Sequence, residues 1–232
     1  MKTQGLFITL EGIDGVGKST QLRLLASYLR ERGYRVCVTR EPGGTRIGEQ
    51  IRKVLLASRN TQLAPLTELA LMYAARAQHL MEVIRPALAR GDVVLSDRFN
   101  DASFAYQGYG RKLGARALRA LDRIICGATQ PDLTVLLDMA PRVALRRAIT
   151  RETRIKSRRR RFETAGLEFQ EGVREGYRAI ARRAPHRVKV VSANRPVKEV
   201  QRDVQYLVDD FLAEARTHGK GKWQMAKVKR QK

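Results

Sequence analysis

The apolar run Leu6-Phe7-Ile8-Thr9-Leu10 leads, one residue on, into Gly12-Ile13-Asp14-Gly15-Val16-Gly17-Lys18-Ser19, which matches GxxxxGK[ST]. A strand, a glycine loop and the start of a helix are the context that this spacing needs. The glycines let backbone amides converge on phosphate oxygens, and the helix that follows turns its positive end to the same anion. Lys18 is placed to reach the outer phosphates and the Ser19 hydroxyl to ligate Mg²⁺. A chance glycine turn would lack that context, so the stretch reads as a nucleotide-phosphate site.

Working outward, four more short β-branched runs follow: Arg35–Thr39, Val93–Asp97, Leu133–Asp138 and Val188–Val191. With Leu6–Leu10 they make five strands, nearly continuously apolar, as expected where both faces are covered. Between them lie segments of helical period: Ser19–Arg32, Leu66–Arg90, Ala115–Cys126, Arg142–Arg151, Leu167–Arg183 and Val197–Ala215. Pro65 opens the second of these, and Pro86 is expected to kink or split it. Alternating strands and helices predict an α/β chain of the P-loop NTPase type, a three-layer fold with a five-stranded parallel sheet and helices on both faces. Residues 1–215 read as one domain, and 216–232 as a basic, flexible tail.

The chain has 232 residues, 43% of them apolar, enough for one buried core. Its longest apolar runs fall far below the roughly 20 residues a membrane helix needs, and its N-terminus has no signal-like apolar segment, so a cytoplasmic chain is expected. Cys37 and Cys126 stand apart and His79, His186 and His218 are scattered, which predicts no disulfide and no zinc site. These cysteines read as small core hydrophobes, Tyr28, Tyr34 and Tyr177 as packing residues, and His79 as a surface or helix-packing residue. The formal net charge is +23. Much of it is local: 216–232 hold seven basic residues and no acid, and 142–163 hold ten against Glu152 and Glu163. Such a balance attracts polyanions, whether nucleotides, nucleic acid or an anionic surface.

No Asn-Lys-x-Asp guanine-reading tetrapeptide occurs. Val93–Asp97 and Val135–Asp138 both read as strands ending in a carboxylate; for Asp138, a metal-side role and a turn-forming role stand about even. Asp97 is the stronger candidate because Arg98 follows it at a strand end, where open α/β sheets bind ligands. Arg40, Arg52, Arg76 and Arg98 lie near strand ends or on adjacent helices, and a denser set runs from Arg146 to Arg161. Two nucleotides held face to face crowd many negative oxygens together, and arginine's planar, permanently charged fork suits that task.

The phosphate loop, Thr39-Arg40-Glu41-Pro42-Gly43-Gly44-Thr45, Tyr73-Ala74-Ala75-Arg76, Asp97-Arg98-Phe99, Ala105-Tyr106-Gln107-Gly108 and Pro131-Asp132-Leu133-Thr134 occur in the order of bacterial thymidylate kinases. The chain resembles that family from about residue 5 to about residue 212. The resemblance implies transfer of the γ-phosphate of ATP to dTMP with Mg²⁺, in a homodimer. It implies that Gly12, Ile13, Asp14, Gly15, Val16, Gly17, Lys18, Ser19 and Thr20 bind ATP, and that Ser19 and Asp97 lie on the metal side. Asp14 helps place the acceptor, Arg98 grips its phosphate, and Arg40 and Arg52 line the same region. Met72, Arg76, Ser103 and Gln107 face the base, and Tyr106 packs on the sugar. Because the loop has Gly15 and Val16 where an arginine might sit, catalytic charge is expected from Arg147, Arg151 and Arg161 on a lid of about residues 146–163.

Some positions depart from the family pattern. Met72 stands where a Phe usually stacks on thymine, Phe99 replaces a Tyr or His, and Ala102 replaces a Ser. Two alternatives follow: a related monophosphate kinase with another acceptor, such as dUMP, or a nucleic-acid-binding protein on a kinase scaffold using the lid and tail. The second is less favoured, since only Phe162 and Trp223 interleave the basic segments with aromatic rings.

Overall fold

The computed structural model describes residues 5–57, 60, 62–155 and 166–217, with the backbone alone for 151–155 and 216–217. Five strands, β1 (Leu6–Glu11), β2 (Val36–Arg40), β3 (Val93–Asp97), β4 (Leu133–Asp138) and β5 (Val188–Ser192), form one parallel sheet in the order β2-β3-β1-β4-β5. The helices among the described residues are α1 (Lys18–Glu31), α2 (Arg46–Leu56), α3 (Pro65–His79), α4 (Arg85–Ala89), α5 (Asn100–Ser103), α6 (Ala115–Ile125), α7 (Pro141–Ile155), α8 (Leu167–Arg183) and α9 (Val197–Thr217). π-helical turns at Leu80–Ile84 and Phe104–Gly110 join α3 to α4 and extend α5.

Alternation along β1 builds the three layers. Leu6, Ile8 and Leu10 join a core with Leu22, Leu25 and Leu29 of α1 and Val200, Val204 and Val208 of α9. Phe7, on the opposite face, joins Val94, Leu69, Tyr73, Leu80 and Ile84. Strands β1 and β3 are apolar on both faces because both are covered, and β4 is buried along almost all its length. The expectation of double coverage fails at the edges: Val38 of β2 and Val190 of β5 are exposed, since an edge strand has helix cover on only part of its surface.

Ahead of Pro86 the expected long helix is divided into α3 and α4 by the π-helical turn. The chain stays helical through Ala89, and Arg85 donates its amide to the Leu80 carbonyl, five residues back. The wider turn shifts the hydrogen-bond register just ahead of the residue that has no amide hydrogen to give. α7 and α9 each run past the ends expected for them, α9 to Thr217, two residues into the segment expected to be a tail. The rest of that segment, 218–232, lies outside the described residues.

The strand order places a crevice at the carboxyl end of β1. From β1 the chain fills one side of the sheet with β2 and β3, then returns to the other with β4 and β5. At such a switch point the flanking loops part, and ligands bind there.

Candidate active site

β1 ends at Glu11 and the chain turns at Gly12, Gly15 and Gly17, with φ of 135°, 87° and 99°. These are left-handed or fully glycine-like conformations, which a side chain would strain. At Gly15 space is also closed: a Cβ there would lie 2.0 Å from the Ala144 carbonyl oxygen of α7. No arginine fits at that position without displacing α7. Lys18, buried at the start of α1, donates to the carbonyls of Gly12 at 3.0 Å and Ile13 at 2.9 Å. Burial, helped by the charge of Arg98 and opposed by Asp97, Asp14 and Glu11, lowers its pKa to about 8. Thr20 donates its amide to the Gly17 carbonyl at 3.1 Å in the first helical turn. Beside it the exposed Ser19 donates its hydroxyl to Asp97 Oδ2 at 2.8 Å.

Arg98 follows Asp97 and sits at φ 74°, unusual for a residue with a side chain. Such a conformation persists where surrounding contacts over-determine it. Its amide donates to the Leu10 carbonyl at 3.1 Å, and the next amide, of Phe99, donates to Glu11 Oε1 at 2.7 Å. The guanidinium donates to the Gly12 carbonyl at 2.7 Å, Asp14 Oδ1 at 2.7 Å, the Tyr106 hydroxyl at 2.9 Å and the Tyr177 hydroxyl at 3.0 Å. Tyr177 in turn donates to Glu11 Oε2 at 2.7 Å. Burial, with the Asp101 carboxylate adding to it, pushes the Glu11 carboxyl up to about 8, against the pull of Arg98, Tyr177 and the Phe99 amide.

A second cluster adjoins the first. Arg76 of α3 is 2% exposed; it donates to Glu41 Oε2 at 2.7 Å and, through Nη2, to the Phe99 carbonyl and Ser103 Oγ, each at 3.0 Å. Its Nη1 is buried with no hydrogen-bond partner. Glu41 also faces His79 Nδ1 at 3.0 Å, and His79 Nε2 lies 2.5 Å from Thr39 Oγ1. Burial raises the Glu41 carboxyl, but Arg76 and His79 outweigh it, and the net shift is downward. Met72, half-buried, lies one helical turn before Arg76. Gln107 donates Nε2 to Glu68 at 2.8 Å.

The structure thus brings Asp14, Lys18, Arg98 and Tyr106 together, with Ser19 and Asp97 paired beside them, and Arg76 with Ser103 and Gln107 nearby. Arg40 is exposed and grips Glu49 at 2.9 Å, while Arg52 donates to the Pro42 carbonyl at 2.7 Å. Arg147, exposed on α7, is 3.5 Å from the Ala193 carbonyl. The Arg151 side chain and Arg161 lie outside the described residues. Asp138 forms a two-pronged pair with Arg174 at 2.7 and 2.8 Å, which gives its strand-end carboxylate a structural partner. Phe99 is buried in an edge-on stack with Phe7 at 4.8 Å, and Ala102 is buried too, so these two departures sit in the core. Cys126 is buried and Cys37 half-buried on edge strand β2, both free. His79 is wholly buried, not on the surface, and Tyr177 does more than pack.

Glu11, Glu41, Glu68, His79 and Tyr177 are the participants that sequence reading missed. Glu11 and Glu41 stood inside quoted motifs or against them, the one signal available.

A phosphate loop beside a hydroxyl–carboxylate pair, with Phe99 bonded through its amide to Glu11 and through its carbonyl to Arg76 of the second cluster, fits a P-loop kinase. The sequence model of the thymidylate kinase family matches residues 10–204. The chain is 48% identical over 212 residues to a thymidylate kinase of Pseudomonas putida (strain GB-1), covering 91% of this chain and 99% of that one. It is 50% identical over 195 residues to one of Geobacter sulfurreducens, covering 84% and 92%. The crystal structure of thymidylate kinase from Ehrlichia chaffeensis superposes with a TM-score of 0.71 at 32% identity, over 89% of this chain and 99% of that one. The chain belongs to the thymidylate kinase family.

Proposed function

We propose that the chain transfers the γ-phosphate of ATP to the phosphate of dTMP, giving ADP and dTDP, with the two clusters above as donor and acceptor sites. An acceptor phosphate oxygen forms the new bond to the γ-phosphorus while the bond to the β-phosphate bridging oxygen breaks. Such transfers ask for positioning and charge neutralisation more than covalent work. The carrying observation is the Asp14–Arg98 ion pair at 2.7 Å, which ties the phosphate loop to the element that begins the acceptor pocket. Lys18 draws the outer phosphates of ATP in, the loop amides cradle them, and Arg98 holds the acceptor phosphate in line. Arg40 and Arg52 enclose the acceptor phosphate region. Tyr106, pinned by Arg98 and 3.3 Å from Asp14 Oδ2, fills the space beside the sugar.

Ser19 and Asp97 offer a hydroxyl and a carboxylate, the hard oxygen donors that Mg²⁺ takes when phosphates and water complete its shell. When bound there, Mg²⁺ supplies charge neutralisation for the transferring phosphoryl group. Arg147, Arg151 and Arg161 are the lid cations in this reading, because Gly15 leaves no room for one in the loop. The exposed Ile47 and Val54, seven residues apart on α2, and the exposed Leu66 of α3 support a homodimer formed across these helices. Among the described residues no helix is long and apolar enough to cross a membrane. The reading places the enzyme in the cytoplasm and does not favour a nucleic-acid role for the basic segments.

An ADP-release assay with ATP and Mg²⁺ against dTMP, dUMP, dCMP and dGMP tests the acceptor. The highest kcat/KM is expected for dTMP. A higher value for any other acceptor would overturn the assignment.

A further inference from the structure

Along α3, Glu68, Met72 and Arg76 follow at intervals of four, so they share one face of the helix. Ser103 and Gln107 stand four apart on the facing segment of α5 and its π turn. The two rows meet at both ends: Arg76 with Ser103 at 3.0 Å and Gln107 with Glu68 at 2.8 Å. Met72 lies between the two contacts in its row. Each reading group is anchored by an acid. Glu41 takes the Arg76 Nε hydrogen, and Glu68, wholly buried, takes a hydrogen of the Gln107 amide, with Arg111 Nη2 3.2 Å from Glu68 Oε2.

Hydrogen-bond polarity follows from those anchors. A carboxylate only accepts, so Gln107 must turn its NH₂ to Glu68. That leaves Oε1, an acceptor, as the end of the amide available to a ligand. Arg76 can only donate, and its buried Nη1 has no partner. The two rows therefore hold one fixed donor, Arg76, and one fixed acceptor, Gln107 Oε1. The Watson–Crick edge of a thymine or uracil ring carries the complement, an O4 acceptor beside an N3–H donor. Cytosine carries the reverse, an amino donor beside an N3 acceptor.

We propose that Glu68 is a specificity-determining positioning residue: by fixing the orientation of the Gln107 amide, it makes the pocket accept a 4-oxo pyrimidine and reject a 4-amino one. The inference rests on the dTMP reading above and deepens it. Glu68 touches no substrate and acts through Gln107. Because thymine and uracil share this edge, Glu68 has no part in discriminating between them.

The test is the set of kcat/KM values for dTMP, dUMP and dCMP in wild type and Glu68→Gln, with thermal unfolding measured alongside. An amide at 68 can pair with either end of Gln107, so the orientation is no longer imposed. The dTMP-to-dCMP ratio should fall about tenfold, the size of one redirected hydrogen bond, while the dTMP-to-dUMP ratio stays put. Combining Glu68→Gln with Gln107→Glu restores an obligate acceptor at 107 and should recover the dCMP ratio. The exchange keeps one amide and one carboxylate in the pair, so it carries the test should the single variant fold poorly. An unchanged dCMP ratio in Glu68→Gln, or losses equal for all three acceptors with no recovery in the exchange, would overturn the inference. Wild type inactive on dTMP would instead overturn the dTMP reading, and this inference with it.

Discussion

Glu41 holds two partners in a space closed to water, with Arg76 on one oxygen and His79 on the other. Taking one member from a buried, hydrogen-bonded charge pair leaves the other uncompensated, at a cost of about 3–5 kcal/mol. Glu41→Ala should lower stability by about that amount in urea unfolding, since Arg76 would keep only the Phe99 carbonyl and Ser103 as acceptors among the contacts described above. A loss below about 1 kcal/mol would mean that water reaches the guanidinium. The same logic explains why the acids were hard to read from the chain. Lys18, Asp97 and Arg98 announce themselves through motif and position, whereas Glu11, Glu41 and Glu68 look like any glutamate until folding buries them against arginine, tyrosine or glutamine. Their partners lie up to 166 residues away, as Tyr177 does from Glu11.

At the level of elements, the phosphate loop is shaped by backbone conformation and by what stands over it. Gly15 and Gly17 share a positive φ, but only Gly15 meets another element; at Gly17 a Cβ would find nothing within 4 Å. Strain alone costs about 1–2 kcal/mol for a side chain in the left-handed region. Gly17→Ala should show that cost, while Gly15→Ala should lose clearly more stability and raise the KM for ATP further, because α7 must move. Equal effects in the two would show that the contact with Ala144 does not bear on the loop. Strand existence and order along the chain were legible, because runs of β-branched and apolar residues between helices leave few alternatives, and β3 and β4 have the predicted bounds. Two helical segments were not legible. α2 starts from Thr45, whose hydroxyl accepts the Gly48 amide at 2.9 Å, but it has only Gly48 and Leu55 buried, too little for a periodic stripe. Asn100–Gly110 is buried on several sides and partly π-helical, so it shows no 3.6-residue period.

For the molecule as a whole, Glu11 links stability to pH. Its carboxyl is pushed up to about 8 in the folded chain from an ordinary 4.5. Between those values the folded state holds a proton that the unfolded state has released, so the contribution of this group to stability falls as pH rises through that window and is level on either side. Glu11→Gln removes the titration. The unfolding midpoint of the variant relative to wild type should therefore shift in the variant's favour from pH 5 to pH 8; a constant difference would show that Glu11 titrates alike in both states. In the proposed reading Arg98 serves both donor and acceptor sides: it pairs with Asp14 of the phosphate loop, and the carbonyl of the next residue, Phe99, accepts from Arg76. The most direct test of the account is steady-state turnover of Arg98→Ala with dTMP at saturating ATP and Mg²⁺. A fall in kcat/KM for dTMP of about 10²–10³ or more, with ATP still bound, is expected on the loss of one preorganised charge contact. Turnover close to that of wild type would contradict the account.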